Sequence, residues 1–253
     1  MIKKVVKLII PEKVRIGIRE SLRKLQAPLL KGDKVYCNCC EKSFEKFMPK
    51  GNQKRLNALC PSCGSLERTR LLLAYLQNET TVFKKHQRVL HITPEKALSK
   101  HLKAADIDYV DGDINPNLAT HVVDLTNIQF PNDSFDLIIC SHVLGHIDDE
   151  PKAIQEMKRV LKRGAFALIM TVIDSTAKRT FEDVSITDPE DRLINFGEAD
   201  LVRLHGCDFA DRLKAQGFYR VTEIDYRDEF TQAEQERFRF GNGERELIFK
   251  CTK

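Results

Sequence analysis

Four cysteines near the start of the chain have the type and spacing of metal ligands. Cys37 and Cys40 form one C-x2-C pair, and Cys60 and Cys63 form a second pair after nineteen intervening residues. Zinc prefers four thiolates in a tetrahedron, so we predict a structural zinc without an open coordination position; unbound thiols or a redox pair are the alternative. The run CNCC also lets Cys39 replace Cys40, but the two-residue spacing favours Cys40.

Two histidines follow the strongest strand pattern of the chain. An apolar run ending at Asp124 precedes FDLIIC, which is typical of a buried strand, and a polar loop at 140–149 leads into a predicted helix and a second buried strand. This order predicts a parallel βαβ unit, in which ligands bind beyond the carboxyl ends of the strands. His142 and His146 lie in the loop four positions apart, where helical geometry would align them, and histidine has a suitable pKa for a general base. We predict both as candidate catalytic residues, with a packing or capping role as the alternative.

Two further strands are predicted upstream. Residues 88–92 form a short buried run, and IDYVDGDI ends at Asp113, twenty-two positions after His91. In dinucleotide folds an acid about 20 residues past the first turn holds a ribose hydroxyl, which makes Asp113 a candidate for that contact. Asp111 lies on the same face of the strand and is the alternative, although we favour Asp113. Few residues remain before Val122, so the third strand is expected to be vestigial.

Residues 122–172 resemble the second half of a class I S-adenosylmethionine-dependent methyltransferase of the type 11 kind. The family's acid, strand and loop correspond to VDLT, FDLIIC and SHVLGH, and the similarity extends more weakly over residues 86–250. The fragments SLER, HITPE and DPEDR resemble a bacterial subgroup with an N-terminal four-cysteine, zinc-ribbon-like module. The resemblance implies an α/β fold with a Rossmann-like, seven-stranded, mostly parallel sheet, preceded by that module and a leading amphipathic helix.

The resemblance also implies S-adenosylmethionine as the cofactor. The family's acid at Asp113 binds the ribose, its acid at Asp124 reaches the adenine amino group, and Leu125 would form a wall of the adenine pocket. The first turn departs from the family, because His91 replaces its acid and VLHITPE lacks its glycines, so the turn is expected to take another backbone path. Glu95 would then meet the cofactor's ammonium group or simply begin a helix. The predicted cofactor-binding residues are His91, Thr93, Glu95, Asp113, Asp124, Leu125, Ser141 and His142.

Composition and charge limit the number of domains and the kind of partner. The 253 residues are 42% hydrophobic and 31% charged, which suits one α/β core with a small accessory module. Residues 1–34 carry ten Lys and Arg against three acids, or +7, so the rest of a chain at +4 overall carries −3. A slightly acidic body does not fit a broad nucleic-acid clamp. We predict a basic amphipathic segment at 1–33, the zinc ribbon at 34–65 and the methyltransferase domain at 66–253.

The basic N-terminal segment has the periodicity of an amphipathic helix over residues 12–30. Its apolar positions, beside Arg15, Arg19 and Arg23, are Val14, Ile18, Leu22, Leu25 and Leu29. The helix either packs on its own protein with a solvated charged face or makes a peripheral contact with anionic lipid. No apolar run has the length of a transmembrane span or signal peptide, so we expect a cytoplasmic protein, with peripheral contact at the inner membrane surface as the second interpretation.

A second amphipathic helix is predicted directly after the ribbon. In GSLERTRLLLAYLQN, Leu66 and Leu73 fall on the apolar side, whereas Glu67, Arg68 and Arg70 fall on the other. We expect this helix to join the ribbon to the main domain.

The segment 174–206 is a polar insertion between the last predicted parallel strand and a helix. Long segments beside such a crevice often act as lids and carry specificity. Arg192, Arg203 and His205 are candidate substrate-binding residues, because cations there would hold a phosphate or carboxylate; ordinary surface solvation is the alternative. We therefore predict a methyltransferase for a small-molecule or glycan-type acceptor. The alternatives are a zinc-ribbon ribosomal RNA methyltransferase, which the acidic body disfavours, and a non-catalytic cofactor-binding protein of the same fold.

Overall fold

The computed structural model describes residues 11–52, 54–241 and 246–253. Its N-terminal part contains one helix and two antiparallel hairpins, β1 with β2 and β3 with β4. These elements are α1 (Glu12–Gln26), a 3-10 turn (Ala27–Leu30), β1 (Lys31–Cys37), β2 (Lys42–Phe44), β3 (Met48–Lys50) and β4 (Arg55–Leu59). We call residues 31–65 the ribbon.

The other strands build the central sheet and one separate two-stranded pair. In chain order they are β5 (Arg88–Ile92), β6 (Asp108–Asp113), β7 (His121–Val122), β8 (Phe135–Ser141), β9 (Leu161–Met170), β10 (Phe181–Glu182), β11 (Arg203–Leu204), β12 (Arg220–Ile224) and β13 (Ile248–Thr252). β10 and β11 form the separate pair, and the sheet has the order β12-β13-β9-β8-β5-β6-β7. The five strands from β9 to β7 are parallel, whereas β13 is antiparallel to both neighbours. The predicted Rossmann-like, seven-stranded, mostly parallel sheet is confirmed, and β7 is as short as expected.

Helices cover the sheet, which explains why β8 is buried along almost its whole length. They are α2 (Glu67–Glu79), α3 (Lys96–Ala104), α4 (Glu150–Val160), α5 (Pro189–Phe196), α6 (Phe209–Ala215), α7 (Tyr226–Glu229) and α8 (Gln232–Phe238). α4 illustrates the local signals: the Asp149 carboxylate accepts the Lys152 N–H at 3.1 Å, and Pro151 occupies the first turn. Polar loops at the carboxyl ends of β5, β6, β8 and β9 therefore meet along one edge of the sheet.

α2 differs from the predicted amphipathic helix, because Arg70 is fully buried rather than on a polar face. Its guanidinium lies 4.3 Å from the centroid of the Phe47 ring. It donates hydrogen bonds to five backbone carbonyls, those of Asn57, Ala58, Ser65, Phe238 and Arg239. The prediction for Arg70 was wrong because α2 lies between the ribbon and the C-terminal segment, which place carbonyls where solvent was expected.

The ribbon shares its core with the rest of the protein. Val35, Phe44 and Phe47 belong to the same cluster of buried residues as positions 71–76 of α2 and Leu98 of α3. Burying these side chains contributes roughly 1.5–3 kcal/mol each. The ribbon is therefore packed as a part of the main domain.

α1 confirms the predicted helix and contacts the domain through polar side chains. Glu12 accepts a hydrogen bond from Asn115 at 3.1 Å, and Glu20 pairs with Lys96 at 2.6 Å. Within the described part of the chain, α1 has no buried residue. Its apolar stripe faces solvent, with exposures between 46% and 84% across Val14, Ile18, Leu22, Leu25 and the following Leu29. This arrangement is the reverse of a helix that packs its apolar side on its own protein.

Among the described residues, no helix combines the length and apolar character that crossing a membrane requires.

Candidate functional site

A cavity of about 340 Å³ lies at the carboxyl ends of β5 and β6, beneath α1. We call it the small cavity. Thr93 and Asp113 line it from the strand ends, and Ile16 and Gly17 line it from α1. Asp113 is buried, and its Oδ1 accepts the Asn115 N–H at 2.8 Å, which leaves its second carboxylate oxygen for a ligand hydroxyl.

Asp111 has a different environment from Asp113. Its carboxylate accepts hydrogen bonds from Lys103 Nζ at 2.9 Å and from the Thr120 N–H at 2.7 Å. Burial would raise the pKa of Asp111, but the bonds from Lys103 and Thr120 outweigh it and lower the pKa. Asp111 and Asp113 were the two candidates for the ribose contact, and of these Asp113 lines the small cavity.

Thr93 occupies a backbone conformation that glycine adopts most readily. Its φ is 48°, in the left-handed region, and its N–H donates to the Gly112 carbonyl of β6 at 2.8 Å. We expected the turn without glycines to take another path. At Thr93 the backbone adopts a glycine-like conformation, which the hydrogen bond to the neighbouring strand stabilises, and the path of the whole turn stays a prediction.

His91, which is buried, pairs with the half-buried Glu95 beside the small cavity. His91 Nε2 lies 3.1 Å from the Glu95 carboxylate, and His91 Nδ1 lies 3.0 Å from the Tyr109 hydroxyl. Arg68 binds the same carboxylate at 3.2 Å. Burial would raise the pKa of Glu95, but the hydrogen bond from His91 and the charge of Arg68 lower it, so Glu95 stays ionised. A carboxylate thus stands next to the strand end where His91 replaced the expected acid.

A larger cavity of about 740 Å³ lies at the carboxyl ends of β8 and β9, and we call it the large cavity. His142, His146 and Thr171 line it from the sheet edge. The β3–β4 hairpin of the ribbon forms a second wall with Lys50, Gly51, Asn52, Lys54 and Arg55. Glu198 and Leu201 of the insertion form the third wall. Arg68 lines this cavity and binds Glu95, whose chain neighbours Pro94 and Lys96 line the small cavity.

The walls of the large cavity are fixed to one another. Asn52 Nδ2 donates to the Gly197 carbonyl at 3.3 Å, which joins the hairpin tip to the insertion. The Val202 N–H donates to the Gly145 carbonyl at 2.9 Å, which joins the insertion to the loop after β8. A Cβ at Gly145 would lie 2.7 Å from Leu201 Cδ2. An alanine at position 145 would therefore require the end of the Leu201 side chain to shift.

The two candidate catalytic histidines both line the large cavity, but helical geometry does not align them as predicted. His142 has a φ of 56° and precedes a 3-10 turn (Leu144–His146), so the two are not aligned on one helix. His146 Nδ1 lies 3.1 Å from the Asp200 carbonyl. Each ring is half-buried, which is compatible with a ligand reaching it.

The four predicted metal ligands come together at the base of the ribbon. The sulfurs of Cys37 and Cys63 lie 3.6 Å apart, those of Cys40 and Cys60 lie 3.7 Å apart, and all four lie within 4.8 Å of one another. Cys39 points away, toward the Thr69 carbonyl at 3.8 Å. Four thiols at these separations fit a tetrahedral zinc shell with Cys40 in the first pair.

Residues 59–169 match the family model described as a methyltransferase domain. These residues are similar to a methyltransferase domain, and the seven-stranded sheet has the Rossmann-like fold of class I methyltransferases. A 44-residue stretch is 46% identical to the uncharacterized methyltransferase YcgJ of Bacillus subtilis (strain 168), and it covers 17% of each chain. The matched stretch is thus less than a fifth of that relative's length.

Solved structures share the fold of the methyltransferase domain. A SAM dependent methyltransferase from Archaeoglobus fulgidus is 16% identical with a TM-score of 0.50, covering 73% of this chain and 94% of that one. The structure of YcgJ from Bacillus subtilis is 16% identical with a TM-score of 0.44, covering 72% and 97%. The likeness to the Archaeoglobus protein supports the fold alone.

The remaining predicted cofactor residues of the methyltransferase domain lie outside both cavities. Asp124 is exposed and accepts the Thr126 N–H at 2.8 Å and its hydroxyl at 2.7 Å, as a loop acid capping nearby amides does. Leu125 is buried in the core, and Ser141 is buried beside Met170. Their roles toward a cofactor stay predictions.

The three predicted substrate cations have internal partners. Arg203 is buried and donates to the carbonyls of Leu144 and Asp148, at 3.0 and 2.9 Å. His205 is buried between the Thr171 hydroxyl at 2.9 Å and Glu150 at 2.5 Å. Arg192 donates to the Ile186 carbonyl at 3.0 Å within the insertion. None of the three is among the residues that line the large cavity in the described chain.

Cys140 is completely buried at the end of β8, and burial raises its pKa to about 12. A thiol with this pKa stays protonated at neutral pH, so Cys140 lacks the thiolate that a nucleophile needs. It packs as a small apolar side chain in the core.

Sequence reasoning missed the cations that line the large cavity, namely Lys50, Lys54, Arg55 and Arg68. Nothing local distinguishes the two lysines from other exposed lysines of the ribbon. Arg68 is the last residue of SLER, a fragment that resembles the bacterial subgroup, and this position could have marked it as a candidate.

Proposed function

We propose that this protein is an S-adenosylmethionine-dependent methyltransferase that acts on a small-molecule or glycan-type acceptor. The observation that carries the proposal is the presence of two cavities on the carboxyl edge of a sheet with the class I methyltransferase fold. The cofactor would lie along β5 and β6, with Asp113 accepting from its ribose and Glu95 facing its ammonium group. The acceptor would lie in the large cavity, whose volume is in the range of small-ligand sites.

The bound cofactor supplies an electrophilic methyl group on a sulfonium sulfur. Asp113 and Glu95 would hold the cofactor, which would supply its methyl group to the acceptor's nucleophilic atom and leave with the electron pair of the carbon–sulfur bond. If that atom is a hydroxyl oxygen, its proton leaves to His142 or His146, which line the cavity within reach of an acceptor. The protein's main contribution is to orient the acceptor and exclude water.

The cysteine cluster serves as a structural zinc site in this proposal. Four thiolates complete the coordination shell, so the ion stabilises the ribbon and takes no part in methyl transfer. The ribbon in turn supplies one wall of the acceptor cavity.

Mass spectrometry of a metabolite extract incubated with deuterated-methyl cofactor tests the activity. We expect a product heavier by one labelled methyl group with the wild-type protein, and greatly reduced labelling with Asp113→Ala. Cofactor binding without any labelled product would favour the non-catalytic alternative. Salt-sensitive binding of ribosomal RNA, with label in the RNA, would favour the RNA methyltransferase instead.

A peripheral membrane contact through residues 12–30 is the second proposal. It is supported by the outward apolar stripe of α1 and by the basic side chains of that segment, a combination that suits anionic lipid. Co-sedimentation with vesicles containing phosphatidylglycerol should capture the wild-type protein and lose Leu22→Glu/Leu25→Glu. The control Val184→Glu/Ile194→Glu changes two exposed apolar residues outside α1 and should still sediment. Equal sedimentation of all three proteins would contradict a contact through α1.

A further inference from the structure

The charge of the large cavity is unbalanced. Its lining includes four cationic side chains, Lys50, Lys54, Arg55 and Arg68, and one carboxylate, Glu198. Arg55 is paired with Glu67 at 3.1 Å, and Arg68 is paired with Glu95 at 3.2 Å. Lys50 and Lys54 are both exposed, and within the described ranges neither has an ion-pair partner. Two ammonium groups therefore line the cavity without an ion-pair partner among the described residues, and Glu198 supplies the one carboxylate among the lining side chains.

The hairpin geometry holds these two lysines at the cavity. Gly51 has a φ of 86°, and Lys54 has a φ of 49° with its N–H donating to the Gly51 carbonyl at 3.1 Å. Lys50 pairs with Arg55 at the end of the hairpin, so Lys50 directly precedes the turn and Lys54 closes it. The bond from Asn52 to Gly197 fixes the tip against the insertion, so the ammonium groups stay near the cavity while their stems remain flexible.

We propose that the acceptor carries a phosphate group, which Lys50 and Lys54 bind while the methyl-accepting atom faces the small cavity. This inference rests on the proposed methyltransferase function and specifies its substrate class. A phosphate is close to doubly charged at neutral pH and matches two ammonium groups, which act as point charges on mobile stems. The walls enclose a space suited to a sugar phosphate or a similar small molecule, whereas an extended nucleic acid would need a basic surface outside the cavity.

Binding of pyrophosphate to the S-adenosylhomocysteine-saturated protein tests the phosphate site directly. Isothermal titration at fixed low salt compares wild type with Lys50→Gln/Lys54→Gln and with Lys84→Gln/Lys85→Gln. The latter removes the same charge from exposed lysines outside the cavity. We expect affinity about tenfold weaker in the cavity variant and unchanged in the control. Equal affinity in all three proteins, or no wild-type binding at about 10 mM pyrophosphate, would overturn the inference.

Binding of S-adenosylhomocysteine itself separates this inference from the proposed function. We expect the cavity variant to bind it as wild type does, because Lys50 and Lys54 do not line the small cavity. In the labelling experiment, phosphatase treatment of the extract should remove the labelled product. Labelling that survives phosphatase, or label found in RNase-sensitive material, would overturn the phosphorylated small acceptor and leave methyl transfer intact. Absence of any labelled product would count against methyltransferase activity. The pyrophosphate titration would still test whether the large cavity binds phosphate.

Discussion

The ribbon and α1 both precede the sheet and lie over its carboxyl edge, but they are attached in opposite ways. The ribbon places Phe44 and Phe47 in the main core and is joined to it by the buried Arg70. α1 contributes no buried residue in the described chain and turns its apolar side to solvent. The difference indicates that the fold requires the ribbon. α1 rests on the folded domain, and its exposed apolar side is free to contact an external surface.

We expect the largest loss of stability when the proposed zinc is removed from the ribbon. Cys60→Ser should abolish stoichiometric zinc and lower the thermal midpoint by about 10 °C or more, because the proposed zinc would join two hairpins that share the main core. Differential scanning calorimetry with metal analysis measures both quantities. The exposed Cys207 supplies the control, and Cys207→Ser should match wild type. An unchanged midpoint and zinc content in Cys60→Ser would contradict the claim that Cys60 binds a zinc ion that stabilises the ribbon.

Arg70 tests the junction between the ribbon and the domain. Arg70→Met leaves five buried or partly buried carbonyls without this donor and should cost about 3–5 kcal/mol of the free energy of unfolding in urea. Arg163→Met, at an exposed position, should change it by less than about 0.5 kcal/mol. If the two variants are equally stable, the ribbon is less integrated than its buried contacts indicate.

The smallest effect is expected in α1. Leu25→Ala truncates a side chain that is 72% exposed and should leave the free energy of unfolding within about 0.5 kcal/mol of wild type. The matched truncation in the ribbon, Phe47→Ala, should cost about 3–5 kcal/mol. Chemical denaturation of the two variants measures both free energies of unfolding. A cost above about 1 kcal/mol for Leu25→Ala would mean that the apolar side of α1 packs on the protein instead of facing solvent.

The sequence predicted features that depend on local pattern. Continuous apolar runs such as FDLIIC predicted buried parallel strands, and the spacing of Cys37, Cys40, Cys60 and Cys63 predicted their assembly. These patterns are local because a strand face or a knuckle is set by a few neighbouring residues.

Long-range contacts account for what the sequence did not predict. Arg70 was assigned to a solvated face because two of its carbonyl partners, Phe238 and Arg239, lie far along the chain. Arg203 and His205 have internal partners from the β8–α4 region, including Glu150 for His205, which no pattern within the insertion reveals. Lys50 and Lys54 reach the large cavity because the hairpin docks on the insertion, a contact without a sequence signature.

Isothermal titration of the zinc-loaded protein with S-adenosylmethionine tests the central claim most directly. We predict one bound cofactor per chain, about tenfold weaker binding for Asp113→Ala, and unchanged binding for Asp106→Ala, whose carboxylate is fully exposed. The loss follows from removing the carboxylate that lines the small cavity next to Thr93. Absence of binding by the wild-type protein, or equal binding by Asp113→Ala, would contradict the assignment of the small cavity to the cofactor.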